Sequence, residues 1–196
     1  TPAAAAAASD VTISILTDAK ACDEVVCGPG GVLEGIQPGA ILADMSTISP
    51  DSSRGIAERV AKTGAKMLDT PIPASLATLE AGNASIMVGG DEAVFHMCRP
   101  LLEAMGRPVL YMGPLGSAAL IKVITNMLAF INLVACGEAL MLAKRGGLDL
   151  AASFEAILNS SGNSFVHETE GRLILNGSYN IGFTIDLACK DLGFAT

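Results

Sequence analysis

The thirty residues from Pro108 to Gly137 carry a single charge, and it belongs to Lys122. The run around it, GPLGSAALIKVITNMLAFINLVACGEAL, has the apolar spacing and the Ala, Leu and Met content of a long helix. On such a helix Asn126, four residues on, shares a face with Lys122 at about 5–6 Å, and Thr125 flanks that face. An ammonium in an apolar helix is costly unless it has a partner or a task. A lone amine beside an amide can pass a proton to or from a substrate oxygen. The competing reading is a core-helix lysine that runs its stem along apolar surface and places its charge in water. The segment by itself leaves both open.

Composition narrows the rest. The 196 residues suffice for one large or two modest domains, with net charge −8 and few aromatics. An acidic balance without a Lys/Arg cluster argues against nucleic acid or an anionic membrane surface as partner. Cys22, Cys27, Cys98, Cys136 and Cys189 are scattered with no C-x-x-C pair, which reads as reduced core thiols in a cytoplasmic protein. His96 and His167 are isolated and read as helix-surface residues, so no metal site is expected. The opening TPAAAAAASD lacks the cationic region and long aliphatic run of a signal peptide and reads as the end of an Ala-rich helix. Ala118–Gly137 has about the length of a membrane span. Lys122, Thr125, Asn126 and Asn132 interrupt it and no aromatic belt flanks it, so a buried helix of a soluble protein is expected, with no membrane partner.

The elements that must position Lys122 alternate in the first half of the chain. Strands are expected at Val11–Leu16, Ala40–Met45, Lys66–Asp69, Ala84–Val88 and Pro108–Met112. Helices are expected at Ala19–Val26, from Ser49-Pro50-Asp51 to Lys62, and from Asp91 to Met105, the second opening with an N-cap, a first-turn proline and an acid. This alternation predicts an α/β fold with a mainly parallel, doubly wound sheet. After Gly113 only helices remain. The long one stops at Gly146-Gly147 and is about 45 Å long if continuous from Gly116; others follow at Leu150–Ser160, Ser164–Leu175 and from Ile185 onward. Ligands of open α/β sheets bind beyond the carboxyl ends of the strands, here Leu16-Thr17, Ser46-Thr47, Asp69-Thr70-Pro71 and Gly89-Gly90. Ser46 and Thr47 are placed to bond a ribose or a carboxylate, or simply to cap the next helix. No G-x-G-x-x-G fingerprint is present.

Taken in order, four blocks resemble the β-hydroxyacid dehydrogenase family, to which 3-hydroxyisobutyrate dehydrogenase belongs. SDVTISILTDA resembles the family's strand ending in Leu-Pro on the nicotinamide side. ILADMSTISPDSS resembles D-x-S-T-x-x-P, GPLGSAALIKVITNMLAFINL resembles G-x-x-G-x-x-x-x-x-K-x-x-x-N, and FTIDLACKDLGFA resembles F-x-x-D-L-x-x-K-D-L. The resemblance implies Lys122 as the catalytic acid/base and Asn126 as its substrate-binding companion. It implies NAD or NADP as cofactor, met by Leu16, Thr17, Thr47 and Lys190, and Asp191 bracing the substrate site. It further implies a Rossmann-like cofactor domain over residues 1–112, then an all-helical substrate and dimerisation domain over 113–196, joined by a long interdomain helix, in a homo-oligomer (dimer or tetramer). The reaction implied is reversible hydride transfer between the cofactor and a small β-hydroxy acid or its semialdehyde. An unperturbed lysine, with pKa about 10.4, is a poor base at neutral pH, so burial must lower it.

The chain departs from the family in places. Where the family loop reads D-A-P-V-S-G-G and holds a substrate carboxylate with backbone amides, this chain has Asp69-Thr70-Pro71-Ile72-Pro73-Ala74-Ser75. Pro73 offers no N–H there, which bears on how Pro73, Ala74 and Ser75 can bind substrate. Thr17 replaces a proline and Thr125 an asparagine. The strand, glycine loop and second strand that open family members are absent, so the chain reads as a fragment of a longer enzyme. The rivals are a non-catalytic homologue binding a nucleotide or carboxylate, and a relative reducing an imine; the latter usually lacks a lysine at this position.

Overall fold

The computed structural model describes residues 1–74, 76–178 and 183–195. By its contacts the chain divides into a unit from Thr1 to Ile124, joined by a short piece from Gly193 onward, and a unit Thr125–Leu192. The first unit contains α1 (Pro2–Ala7), β1 (Val11–Ser14), α2 (Ala19–Cys27), β2 (Ile41–Asp44), α3 (Pro50–Ala61), β3 (Lys66–Asp69), α4 (Leu76–Glu80), β4 (Ile86–Gly90), α5 (Glu92–Met105), β5 (Val109–Gly113) and the start of α6 (Ser117–Arg145).

Local chemistry sets the helix starts. Thr1, Asp18, Ser49 and Asp91 each accept a hydrogen bond from the amide three residues on, Ala4, Ala21, Ser52 and Val94, and Pro50 fills the first turn of α3. The five strands lie in sequence order. Alternate residues feed the two faces: Leu42 and Met67 pack with Cys22, Val26, Ile48, Ile56 and Val60. Ile41, Leu68, Ile86 and Val88 pack with Val94, Phe95, Cys98 and Leu102 of α5. Helices on both faces explain why these strands are nearly continuous apolar runs.

The sheet is mainly parallel, as expected, with one antiparallel pairing. β1–β2, β2–β3 and β4–β5 are parallel, but β3 and β4 run antiparallel. A parallel neighbour needs a crossover helix, and the segment after β3 holds only Pro71, Pro73 and the short α4. β4 therefore enters from the opposite end, and Gly89 and Gly90 pair with Asp69 and Leu68. They close onto β3, with Gly89 level with Asp69 at its end. The ladders align Ser14, Asp44, Asp69, Gly89 and Gly113 in one row across all five strands.

The second unit holds the rest of α6 with α7 (Leu150–Leu158), α8 (Phe165–Asn176) and α9 (Ile185–Leu192). Cys136, Leu140 and Phe154 form its core with Leu150, Ile157, Leu158 and Leu175. Three expectations are corrected here. His167 is buried, not on a helix surface: its ring stacks on Phe154, Nε2 lies 3.0 Å from the Phe154 carbonyl and Nδ1 lies 3.3 Å from Cys136 Sγ. The isolated-histidine reading failed because a side chain that bonds a carbonyl and a thiol leaves no sequence motif. Nor is α6 a fully buried helix: Leu120, Leu128, Ile131, Val134, Met141 and Leu142 are exposed, because apolar residues recur round the helix rather than on one stripe. By length and composition α6 could cross a membrane. Of the cysteines, Cys22, Cys98 and Cys136 are buried, whereas Cys189 is exposed and so is not a core thiol.

Leu68→Ala empties a fully buried position at the centre of the sheet and should lower unfolding free energy by about 2–5 kcal/mol. Met97→Ala, on the exposed side of α5, should shift it by less than about 0.5 kcal/mol. Urea denaturation of the two variants measures both.

Candidate active site

The expected site residues fall into three groups. The first is at the tips of β1 and β2. Asp44, buried in the row described above, accepts from Ser14 Oγ at 2.8 Å and Ser46 Oγ at 2.7 Å through one oxygen. Ser46 Oγ in turn accepts from the Leu16 amide at 2.9 Å. This chain of bonds ties the two strand ends together and fixes where Leu16, Thr17 and Thr47 emerge. Leu16 and Thr47 are half-buried and Thr17 is exposed. An apolar side chain flanked by two hydroxyls, at the carboxyl ends of adjacent parallel strands, is a lining that suits the nicotinamide and ribose of a dinucleotide. Of the two readings open for Ser46, the internal one holds: it is buried and both its hydroxyl bonds lie within the protein.

The second group is the start of α6. Asp69 ends β3 with 1% of its surface exposed. Its Oδ1 accepts from the Gly116 amide at 2.9 Å and its Oδ2 from the Ala119 amide at 2.7 Å. The chain reaches that position through Gly113 and Gly116, whose φ values of 119° and 90° disfavour any side chain. Burial raises the Asp69 pKa above the ordinary value, while the amide bonds, Gly116 first, pull it down. Lys122 follows Ala119 by about one helical turn and is 8% exposed. At that exposure the ammonium does not snorkel into water. Sequence reasoning missed the role of Asp69. The available signal was a helix opening in Gly-Pro-Leu-Gly with no side chain of its own to cap it.

The third group lies within the helical unit. Asn126 Nδ2 donates to Asp191 Oδ2 at 2.7 Å. Lys190 Nζ forms an ion pair with Asp191 Oδ1 at 3.1 Å, where the Asp191 side chain is 3% exposed and that of Lys190 25%. One carboxylate oxygen thus accepts a hydrogen bond from Asn126, while the other is buried without a hydrogen bond and is paired with the Lys190 ammonium by charge. Asp191 braces α6 against α9. Pro73 and Ala74 are half-buried in the loop after β3, and Ser75 lies outside the described residues. Among the described residues no group of three His, Cys, Asp or Glu side chains could hold a metal ion.

A family described as the NAD-binding domain of 6-phosphogluconate dehydrogenase matches residues 1–113, and one described as NAD-binding of NADP-dependent 3-hydroxyisobutyrate dehydrogenase matches 116–196. 2-(Hydroxymethyl)glutarate dehydrogenase of Eubacterium barkeri is 37% identical over 97% of this chain and 64% of its own length. The mitochondrial 3-hydroxyisobutyrate dehydrogenase of Mus musculus is 34% identical over 99% of this chain and 60% of its own. This chain belongs to the β-hydroxyacid dehydrogenase family. It spans a little under two thirds of these relatives. Among solved structures, the 3-hydroxyisobutyrate dehydrogenase of Mycobacterium tuberculosis with L-serine superposes with a TM-score of 0.88 at 29% identity, covering 98% of this chain and 67% of that one. In this β-hydroxyacid dehydrogenase chain, the K-x-x-x-N helix and the K-D-L block are the segments that carry Lys122, Asn126, Lys190 and Asp191.

Asp191→Ala leaves the Asn126 amide and the Lys190 ammonium without their acceptor, and should lower unfolding free energy by about 1–3 kcal/mol. Chemical denaturation of this variant beside Asp186→Ala, whose side chain is exposed at the start of α9, separates the brace from a general effect of lost charge.

Proposed function

We propose that this chain is the greater part of an NAD(P)-dependent oxidoreductase that interconverts a small β-hydroxy acid and its semialdehyde or keto form, with Lys122 as general acid/base. The observation that carries this reading is the burial of Lys122 at 8% exposure, on the first turns of a helix whose N-terminus is fixed to the end of β3. Leu16, Thr17 and Thr47 would hold the cofactor from the sheet, and the family resemblance assigns Lys190 to the cofactor as well. The bound nicotinamide supplies hydride exchange with the substrate carbon.

The protein's own side chains do the rest. Lys122 Nζ takes the hydroxyl proton in oxidation and returns it to the carbonyl oxygen in reduction. Positioned proton transfer of this kind contributes about 10²–10⁴-fold. Asn126, with its Nδ2 turned to Asp191, has its carbonyl oxygen as the atom left for a substrate hydroxyl. Asp191 holds Asn126 and Lys190 in orientation. Pro73 cannot donate a hydrogen bond, so a substrate carboxylate held by this loop would rely on other amides, Ala74 among them. The exposed apolar residues of α6, Leu128, Ile131, Val134, Met141 and Leu142, support a homo-oligomer, since such stripes are normally covered. We place the protein in the cytoplasm on its cysteine usage, and assign it neither a nucleic-acid nor a membrane partner.

In the full-length protein, Lys122→Ala should lower kcat by about 10²–10⁴-fold and leave cofactor affinity, measured by fluorescence titration of NADH and NADPH, unchanged. Near-normal turnover on a panel of hydroxy acids and semialdehydes would remove Lys122 from the mechanism.

A further inference from the structure

The start of α6 has no local reason to sit where it does. Gly116, at the position that precedes the helix, has no side chain to cap it, and the acceptor for its amide comes from Asp69, far away in sequence. One carboxylate takes two amides of the same turn, Gly116 at 2.9 Å and Ala119 at 2.7 Å. Two bonds to one rigid group fix both the height and the rotation of the helix about its axis, which a single bond does not. Asp69 is itself immobilised. The next amide, Thr70, donates to the Asp44 carbonyl at 2.7 Å, and a Cβ on Gly89 would fall 2.4 Å from Asp69 Oδ1. The glycine in the antiparallel partner strand is therefore what leaves room for the carboxylate. Lys122 follows Ala119 within one turn, so any rotation of that turn swings the amine by the same angle.

We propose that Asp69 is the positioning residue for Lys122: by clamping the Gly116 and Ala119 amides it sets the rotation of α6, and so where the amine is presented. This rests on Lys122 being the proton-transfer group. Its function cannot be taken over by an amide, because the Nδ2 of an asparagine would set a donor against one of the two N–H groups. A carboxylate at the positive end of a long helix is also electrostatically favoured. A cap whose only role was stability could be replaced by any local acceptor at some cost in melting temperature; a clamp that sets rotation could not be replaced without moving the amine.

The test compares Asp69→Asn and Gly89→Ala with wild type in the full-length protein. The first removes one acceptor, and the second leaves the charge but displaces the carboxylate. Acylation of each lysine by an amine-directed reagent, resolved by peptide mass spectrometry, reads the presentation of Lys122 against Lys20, Lys62 and Lys144 as internal standards. We expect Lys122 alone to change reactivity several-fold in both variants, and kcat to fall by about 10–10²-fold with cofactor KM unchanged. Should one variant fail to fold, the other carries the comparison; slow amide exchange at Ala119 in the wild type is a further requirement. Lys122 keeping wild-type reactivity, all lysines changing together, or rapid exchange at Ala119 would each overturn the clamp. A shifted Lys122 in a protein with no turnover on any hydroxy acid would instead uphold the clamp and overturn the dehydrogenase reading.

Discussion

The clamp of Asp69 on the α6 amides is the constraint on which the first unit's architecture turns. It requires a carboxylate at the last position of β3, a glycine opposite it in β4, and two glycines at positive φ between β5 and α6. Those requirements explain features that have no separate cause. β4 runs against its neighbour, and its final glycines come level with Asp69 and Leu68. The row from Ser14 through Asp44 and Asp69 to Gly89 and Gly113 then passes from polar side chains to none at all, clearing space on the side where the helix begins. Burying the carboxylate costs free energy, visible in its raised pKa. Charge-assisted bonds to two amides, each worth roughly 1.5–3 kcal/mol, offset that cost. The net gain in stability is small, and the gain in definition is large.

The helical unit repeats the device with different chemistry. Asp191 bonds Asn126 and faces Lys190, so that α6 and α9 are joined through a buried carboxylate. Further along α6, Cys136 meets His167 of α8. The tautomer follows from the partners: Nε2 faces the Phe154 carbonyl and must carry the proton. Nδ1 is then an acceptor, and Cys136, whose pKa burial pushes up, supplies the S–H. Gly171 keeps this contact close, since a Cβ there would sit 3.1 Å from the Phe154 ring and 3.3 Å from Cys136 Sγ. α6 is thus held in both units by polar bonds to residues distant in sequence.

What could be read in the sequence follows the range of the forces involved. Helix starts at Asp18, Ser49 and Asp91 were legible because a cap, its amide and the first turn lie within four residues. The apolar runs of β2 and β4 were legible because burial on both faces leaves no polar alternation. The family motifs led to Lys122, Asn126, Lys190 and Asp191 because each lies inside a short block. The direction of β4 was not legible: it depends on the path of the loop after β3, and a strand's composition is the same in either direction. Asp69 read as the end of a strand with no particular partner because its partners, Gly116 and Ala119, lie in another element. His167 looked isolated for the same reason, and the sequence left Ser46 open between a ligand contact and local capping, whereas its hydroxyl joins two strand tips.

Helix α6 also inverts the usual rule for an amphipathic element. It buries a lysine and leaves Leu120, Leu128, Ile131 and Val134 exposed, whereas a helix placed by its apolar stripe would do the reverse. The inversion follows from the composition. A helix that is apolar on nearly every face gains about the same burial at many rotations, so the hydrophobic effect, being non-directional, can hold it against the protein without choosing its angle. Directional bonds must make the choice, and only a few polar groups are available to form them. Asp69 fixes the first turn, Asp191 the turn bearing Asn126, and His167 the turn bearing Cys136. With rotation set in this way, the one charged side chain in the stretch can be buried reproducibly at a single place, which is the condition a proton-transferring amine has to meet.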